Sequence, residues 1–204
     1  MDQARWEYFR TIEDDLAAAA RYVEFCEDNY GCHSVHFARV ILAAGSEVDS
    51  VAKALCRRID PSSRADNILK YHGVISSRYS RMGEVRVTVP SRRLELRPWA
   101  GWTSAASADW WRNGFTAIKH DRTDSFRAAN LRNALLSTSA LLALLLYHMR
   151  EVGGRMAEIG MFEAPRLLDV PDESCGDGGG GVVWGYGLPC EPWSGRDRDD
   201  QRHW

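Results

Sequence analysis

Apolar residues recur at helical spacing through most of the first 150 or so positions, with one short interruption of period two. From 3 to 29, Trp6, Phe9, Ile12 or Glu13, Leu16, Ala19, Ala20 and Val23 fall near one face, and the alanine run at 17–20 favours helix. Asn29-Tyr30-Gly31 supplies a stop. Ser34 suits the N-cap of a second helix reaching about Ile59, with Phe37, Val40, Ile41, Ala44, Val48, Val51, Ala52 and Leu55 on its apolar face. Asp60-Pro61-Ser62-Ser63 ends it and caps a third helix over about 62–79, carried by Ile68, Leu69, Tyr71 and Ile75. A fourth helix is expected from about Ala108 to His120, and a fifth from Asp124 or Ser125 to Gly153-Gly154. The fifth holds the most apolar stretch, Ala134 to Tyr147. Its 14 residues fall short of the roughly 20 that cross a bilayer and include Ser137, Thr138 and Ser139, so it reads as a buried core helix without membrane contact.

The period changes at about 84–98. Val85, Val87 and Val89 alternate with Glu84, Arg86 and Thr88; after Pro90-Ser91-Arg92-Arg93, Leu94 and Leu96 alternate with Glu95 and Arg97. A lone hairpin is marginal in water, so this one should pack on the helices. Trp99, Trp102, Trp110 and Trp111 follow closely. Such a cluster can stack unpaired bases, but more often fills a core or a dimer interface, and at least one of these is expected at an interface. Beyond Gly154 the pattern fades: 163–171 reads as a short strand or strap, 174–181 as a glycine-rich linker, and 194–204 as a frayed charged end. The expectation is an all-α fold: a four- to five-helix bundle over 1–154 with a small β-hairpin insertion, followed by a poorly ordered, acidic C-terminal tail over 155–204.

Composition narrows the function classes. With 204 residues, 45% hydrophobic and 26% charged, the chain can bury a core, which excludes wholesale disorder and a coiled-coil rod. A net charge of −2 excludes a polycation. The charge is nevertheless polarised: residues 57–97 carry a balance of +6, and 155–204 one of −5. Of the 26 basic residues all but Lys53, Lys70 and Lys119 are arginine, whose planar fork suits phosphate. Five cysteines without an apolar leader are expected to be free thiols in the cytoplasm. Cys26, Cys32, His33 and His36 are zinc-ligand types, yet their spacing fits no ordinary finger, so no metal and no cofactor are expected. The glycines at 178–181 lack a following Lys-Ser/Thr and form no phosphate loop. Asp49 and Lys53 are spaced for an i,i+4 ion pair, and His148 for a surface or capping role.

The chemistry concentrates in Trp110-Trp111-Arg112-Asn113-Gly114-Phe115-Thr116-Ala117-Ile118-Lys119-His120-Asp121-Arg122. On an α-helix Trp111, Phe115 and Ile118 make an apolar stripe, Asn113 and His120 differ by about 20°, and Arg112 lies about 80° from His120. One edge would then present Arg, Asn and His, with Lys119 and Arg122 at its end. Glu47, flanked by apolar residues, is a candidate to orient His120 or Arg112 from a facing helix. The plainer alternatives are a dipole role for His120, surface pairing of Arg112 and Arg122 with Asp109, Asp121 or Asp124, and a structural ion pair or solvated carboxylate for Glu47.

Helix pairs followed by this segment and a long apolar helix (NLRNALLSTSALLALLLYHMRE) resemble the HEPN superfamily (higher eukaryotes and prokaryotes nucleotide-binding) over about 1–154. These are small helical bundles, usually dimeric, many of them metal-independent ribonucleases of toxin–antitoxin and phage-defence systems. Their motif is Arg, then usually Asn, Asp or His, then His after four to six intervening residues. Arg112-Asn113 and His120 match in type, with seven intervening residues. The resemblance implies RNA binding or endoribonuclease activity in a cytoplasmic homodimer, with an antitoxin as a further partner. His120 would be the acid/base, Arg112 the phosphate clamp, Asn113 a phosphate-orienting amide, and Arg122, Lys119 and Glu47 supporting groups. Arg86, Arg93 and Arg97 on the hairpin's polar face would guide the RNA backbone. The other reading is a non-catalytic helical dimerisation or interaction module.

Overall fold

The computed structural model describes residues 2–153, 163–171 and 188. Within them are five α-helices and one antiparallel hairpin. The linker expected at 174–181 and the charged end at 194–204 lie outside the described residues.

Helix α1 spans Asp2–Ala19 and buries Trp6, Phe9, Ile12, Glu13, Leu16 and Ala19 on one face. It is shorter than the 3–29 expected. The alanine run favours continuation, but Phe25 is buried, so the chain turns at Ala19–Val23 to bring it back to the core. Tertiary burial here overrides local propensity. Helix α2, Val35–Ile59, agrees with its sequence signals. The Ser34 hydroxyl accepts from the Phe37 N–H at 3.1 Å, and the helix stops before Asp60-Pro61, since a residue preceding proline is pushed out of helical geometry.

Helix α3, Ile68–Arg78, starts six residues after the expected 62. Ser62 donates through both its N–H and its hydroxyl to Asp60, and the Ser63 hydroxyl accepts from the Ala65 N–H. These local bonds compete with helix, and Asn67 becomes the cap, accepting from Leu69 and Lys70. Strands β1 (Val87–Val89) and β2 (Leu94–Leu96) pair Val87 with Leu96, Thr88 with Glu95 and Val89 with Leu94. All four apolar residues of that register are buried, as the alternation required. Arg93 closes the turn in the left-handed region at φ 53°.

Helix α4 is short, Ala117–His120, and continues a π-helical turn over Trp111–Thr116. Helix α5 spans Leu131–Gly153 and not 124–153. Asp121 accepts from Thr123 and Asp124 N–H groups and holds the preceding segment in turns, while Asn130 accepts from the Asn133 N–H and starts the helix. Every residue from Asn133 to Met149 is buried. A helix apolar on all sides demands enclosure, and α2 and α1 provide most of it. The Ser137 and Thr138 hydroxyls donate to the Ala134 carbonyl and so meet their hydrogen-bonding needs within the helix. His148, expected at the surface, is buried because the enclosure extends to this last stretch of α5. No helix among the described residues is long and apolar enough to cross a membrane.

The segment 163–171 is a strap. Asp169 exchanges both backbone hydrogen bonds with Thr88, adding a third chain beside β1. Its other end is fixed by Glu13, which has 0% exposure and accepts from the N–H groups of Arg166, Leu167 and Leu168 at 2.9–3.0 Å. Arg10 lies 3.7 Å from Glu13 and 3.6 Å from Glu163, and the Trp6 indole donates to the Glu163 carbonyl. A carboxylate within an apolar stripe is thus the strap's anchor.

Candidate functional site

The candidate segment is positioned by two close approaches. The Phe115 ring sits on Gly45 of α2, where an added Cβ would fall 2.2 Å from Cδ2 of the ring. Gly114 faces Asn133 of α5, where an added Cβ would be 3.0 Å from Cγ. Trp111, Phe115 and Ile118 are all buried, so the helix is locked inward by its apolar stripe. Gly45 costs up to about 1 kcal/mol of helix propensity against Ala; seating Phe115 offsets it.

The π-turn changes the register of the outward side chains. Its i→i+5 closure holds one more residue than an α-turn. Arg112 and His120, eight positions apart, therefore lie two turns apart and within about 20° of one another around the axis. On an uninterrupted α-helix the difference is about 80°. By the same ideal geometry Asn113 moves the other way, toward a face neighbouring that of His120. Two turns correspond to about 11 Å of rise. Because Cα–Cβ bonds lean toward the helix N-terminus, His120 leans toward Arg112.

Arg112, His120 and Arg122 are exposed and have no ion pair or side-chain hydrogen bond among the described residues. Asp109, weighed as a partner for Arg112, instead accepts from Asn113 at 2.6 Å and pairs with Arg132 at 3.0 Å. Asp121 accepts from backbone N–H groups beyond it. The Lys119 ammonium lies 5.4 Å from the Phe115 ring centroid. Beside Asp109 an open cleft of about 320 Å³ is lined by Glu27, Tyr30, Glu95, Arg97, Trp110 and Arg132, among others.

Other expected site residues lie elsewhere. Glu47 is bound to Arg5 at 2.7 Å, and burial raises its pKa against the opposing effect of that guanidinium. It forms a structural ion pair with α1 and does not orient His120 or Arg112. On the hairpin, Arg86 and Arg97 both reach Glu95, at 3.5 and 3.4 Å, while Arg93 is exposed at the turn. The positive face expected there is therefore partly neutralised from within.

Trp99, Trp102, Trp110 and Trp111 are all buried within the one chain. Trp99 contacts Trp102 and Trp110, with ring centroids 4.6 and 5.9 Å apart, and Trp110 contacts Trp111 at 5.5 Å. Their indoles fill the core, and the donors of Trp110 and Trp102 reach the Pro98 and Ile68 carbonyls. They are neither stacking platforms nor a seam. The Cys/His group is separated by its own contacts: His36 Nε2 lies 2.6 Å from the Asp15 carbonyl, and the Cys32 thiol faces Asn29. Among the described residues no three His, Cys, Asp or Glu side chains converge as a metal site.

Sequence periodicity missed the π-turn, the Gly45–Phe115 contact and the anchoring by Glu13. Only the last left a legible mark, an acid at a core position of the first helix. No protein-family model matches the chain, no curated protein matches its sequence, and no solved structure matches its fold.

Proposed function

We propose that the chain is an HEPN-like helical bundle that binds RNA and cleaves it without metal, acting as a cytoplasmic homodimer in a toxin or phage-defence role with an antitoxin partner. The observation that supports this reading is the π-turn, whose ideal register sets the exposed Arg112 and His120 near one face, neither of them in an ion pair among the described residues.

The chemistry follows from RNA's own nucleophile. The 2′-OH attacks the adjacent phosphorus, and the bond to the 5′ oxygen breaks. His120 takes the 2′-OH proton or delivers one to the departing oxygen. Arg112 donates to the non-bridging oxygens as they gain charge. The products are a 2′,3′-cyclic phosphate and a 5′-hydroxyl. One histidine does not readily serve as both acid and base, so a two-fold dimer would supply a second. Asn113 gives one amide hydrogen to Asp109, which leaves its second N–H for a phosphate oxygen and its carbonyl oxygen for a hydroxyl or amine group of the RNA. The interaction-module alternative needs an exposed apolar seam on this helix, whereas Trp111, Phe115 and Ile118 are buried.

The test is cleavage of tRNA and single-stranded RNA in EDTA by the parent protein and by His120→Ala. Cyclic-phosphate ends that disappear in the variant support the reading. Equal cleavage by both proteins, or none by a folded dimer, contradicts it.

A further inference from the structure

A second concentration of positive charge lies away from the π-turn, at the C-terminal end of α2. An open pocket of about 490 Å³ is lined by Lys53, Arg57, Pro61, Ser62, Ser63, Arg64, Ala65 and Asp66. Lys53 and Arg57 are one helical turn apart, and Arg64 approaches from the following loop.

The acids nearest these cations in the chain, including Asp66 in the pocket's own lining, are engaged by other groups. Asp49, spaced to pair with Lys53, accepts instead from the Tyr71 hydroxyl at 3.2 Å. Asp60 accepts from the Ser62 hydroxyl and N–H, which hold its carboxyl below the usual range. Asp66 pairs with Lys70 at 2.8 Å, and that bond likewise lowers its pKa. Lys53, Arg57 and Arg64 have no ion pair or side-chain hydrogen bond among the described residues. Three uncompensated cations around one concavity repel one another, and an anion relieves that repulsion.

The lining also limits which anion fits. It includes no aromatic ring and no large aliphatic side chain, so there is no platform for a base. A single continuous strand would favour an extended basic stripe, whereas these charges surround a pocket.

We infer that the Lys53–Arg57–Arg64 pocket binds a compact polyphosphate group, either pyrophosphate itself or the phosphate chain of a nucleotide, through its oxygens alone. The two arginines would grip non-bridging oxygens with their forks, and Lys53 would add a point charge. This site is independent of the RNA-cleavage reading.

Calorimetric titration of the full chain with sodium pyrophosphate tests it. Saturable binding is expected, weaker at higher salt, with Arg57→Ala and Arg64→Ala each reducing affinity about tenfold or more. Arg39→Ala, an exposed cation near the other end of α2, should bind as the parent does, and unchanged thermal melting would show that the variants remain folded. A nucleoside triphosphate should bind about as well as pyrophosphate, and inorganic phosphate more weakly. No saturable binding at millimolar pyrophosphate, or unaltered affinity in both arginine variants, overturns the inference. So does a triphosphate that binds far more tightly than pyrophosphate, which would indicate base recognition. Single-stranded RNA that outcompetes pyrophosphate here would make an RNA backbone the occupant and equally overturn it.

Discussion

Residues whose chemistry conflicts with their surroundings reveal the most about this fold. His72 rests edge-on against Trp102 with ring centroids 5.1 Å apart, its Nδ1 is buried without a hydrogen-bond partner among the described residues, and burial lowers its pKa. The folded state therefore resists protonation of a group that the unfolded chain protonates near its ordinary value of 6.5. Between that value and the lower folded pKa the unfolded state binds more protons, so stability falls as pH drops through the window. His72→Leu should flatten this dependence, and thermal melts of both proteins from neutral to mildly acidic pH measure it. A parent slope that persists unchanged in the variant would place the acid sensitivity elsewhere. The Cys56 thiol shows a related effect: burial pushes its pKa up to about 12, making it an inert core group.

At the scale of elements, the decisive feature is the π-turn at Trp111–Thr116. Deleting Thr116 should convert it to an α-turn while leaving Arg112 and His120 on one face, so the RNA cleavage proposed above should stay within about tenfold of the parent. Inserting an alanine after Thr116 should rotate His120 away by about 100° and reduce cleavage by about a hundredfold or more. Similar losses in both variants, each with parental circular dichroism, would separate activity from this register. The contrast with α2 explains how much was legible in advance. Ser34, the apolar face and Pro61 all signal locally, and α2 agrees with them at both ends. The π-turn holds Phe115 against Gly45 and Gly114 against Asn133, contacts between distant parts of the chain that no local pattern encodes. The late starts of α3 and α5 reflect the same limitation, because Asp60 and Asp121 divert nearby backbone groups into turns. The Arg112 and His120 residue types and a shared edge were visible in the sequence, but the π-turn that narrows the angle between them was not.

At the scale of the molecule, the parts meet around two enclosed features, helix α5 and the carboxylate of Glu13. Glu13 joins α1 to the strap, and Asp169 joins the strap to the hairpin, so one buried acid links distant parts of the chain. Glu13→Ala would remove the acceptor for three backbone N–H groups and leave Arg10 without its buried partner. The expected loss is about 3 kcal/mol or more, with faster proteolysis at 163–171. Parental stability and protease resistance in that variant would show that the strap is held by other contacts.

On the proposed function Arg112 and His120 form one phosphate-binding face. An NMR titration with a short single-stranded RNA tests it most directly, following His120 Hε1 and Arg112 Nε–H in the same samples and assigning each by substitution. Both signals should shift along one saturation curve, and Arg112→Ala should weaken the response of His120. A His120 signal that stays fixed while RNA saturates the protein elsewhere would contradict it.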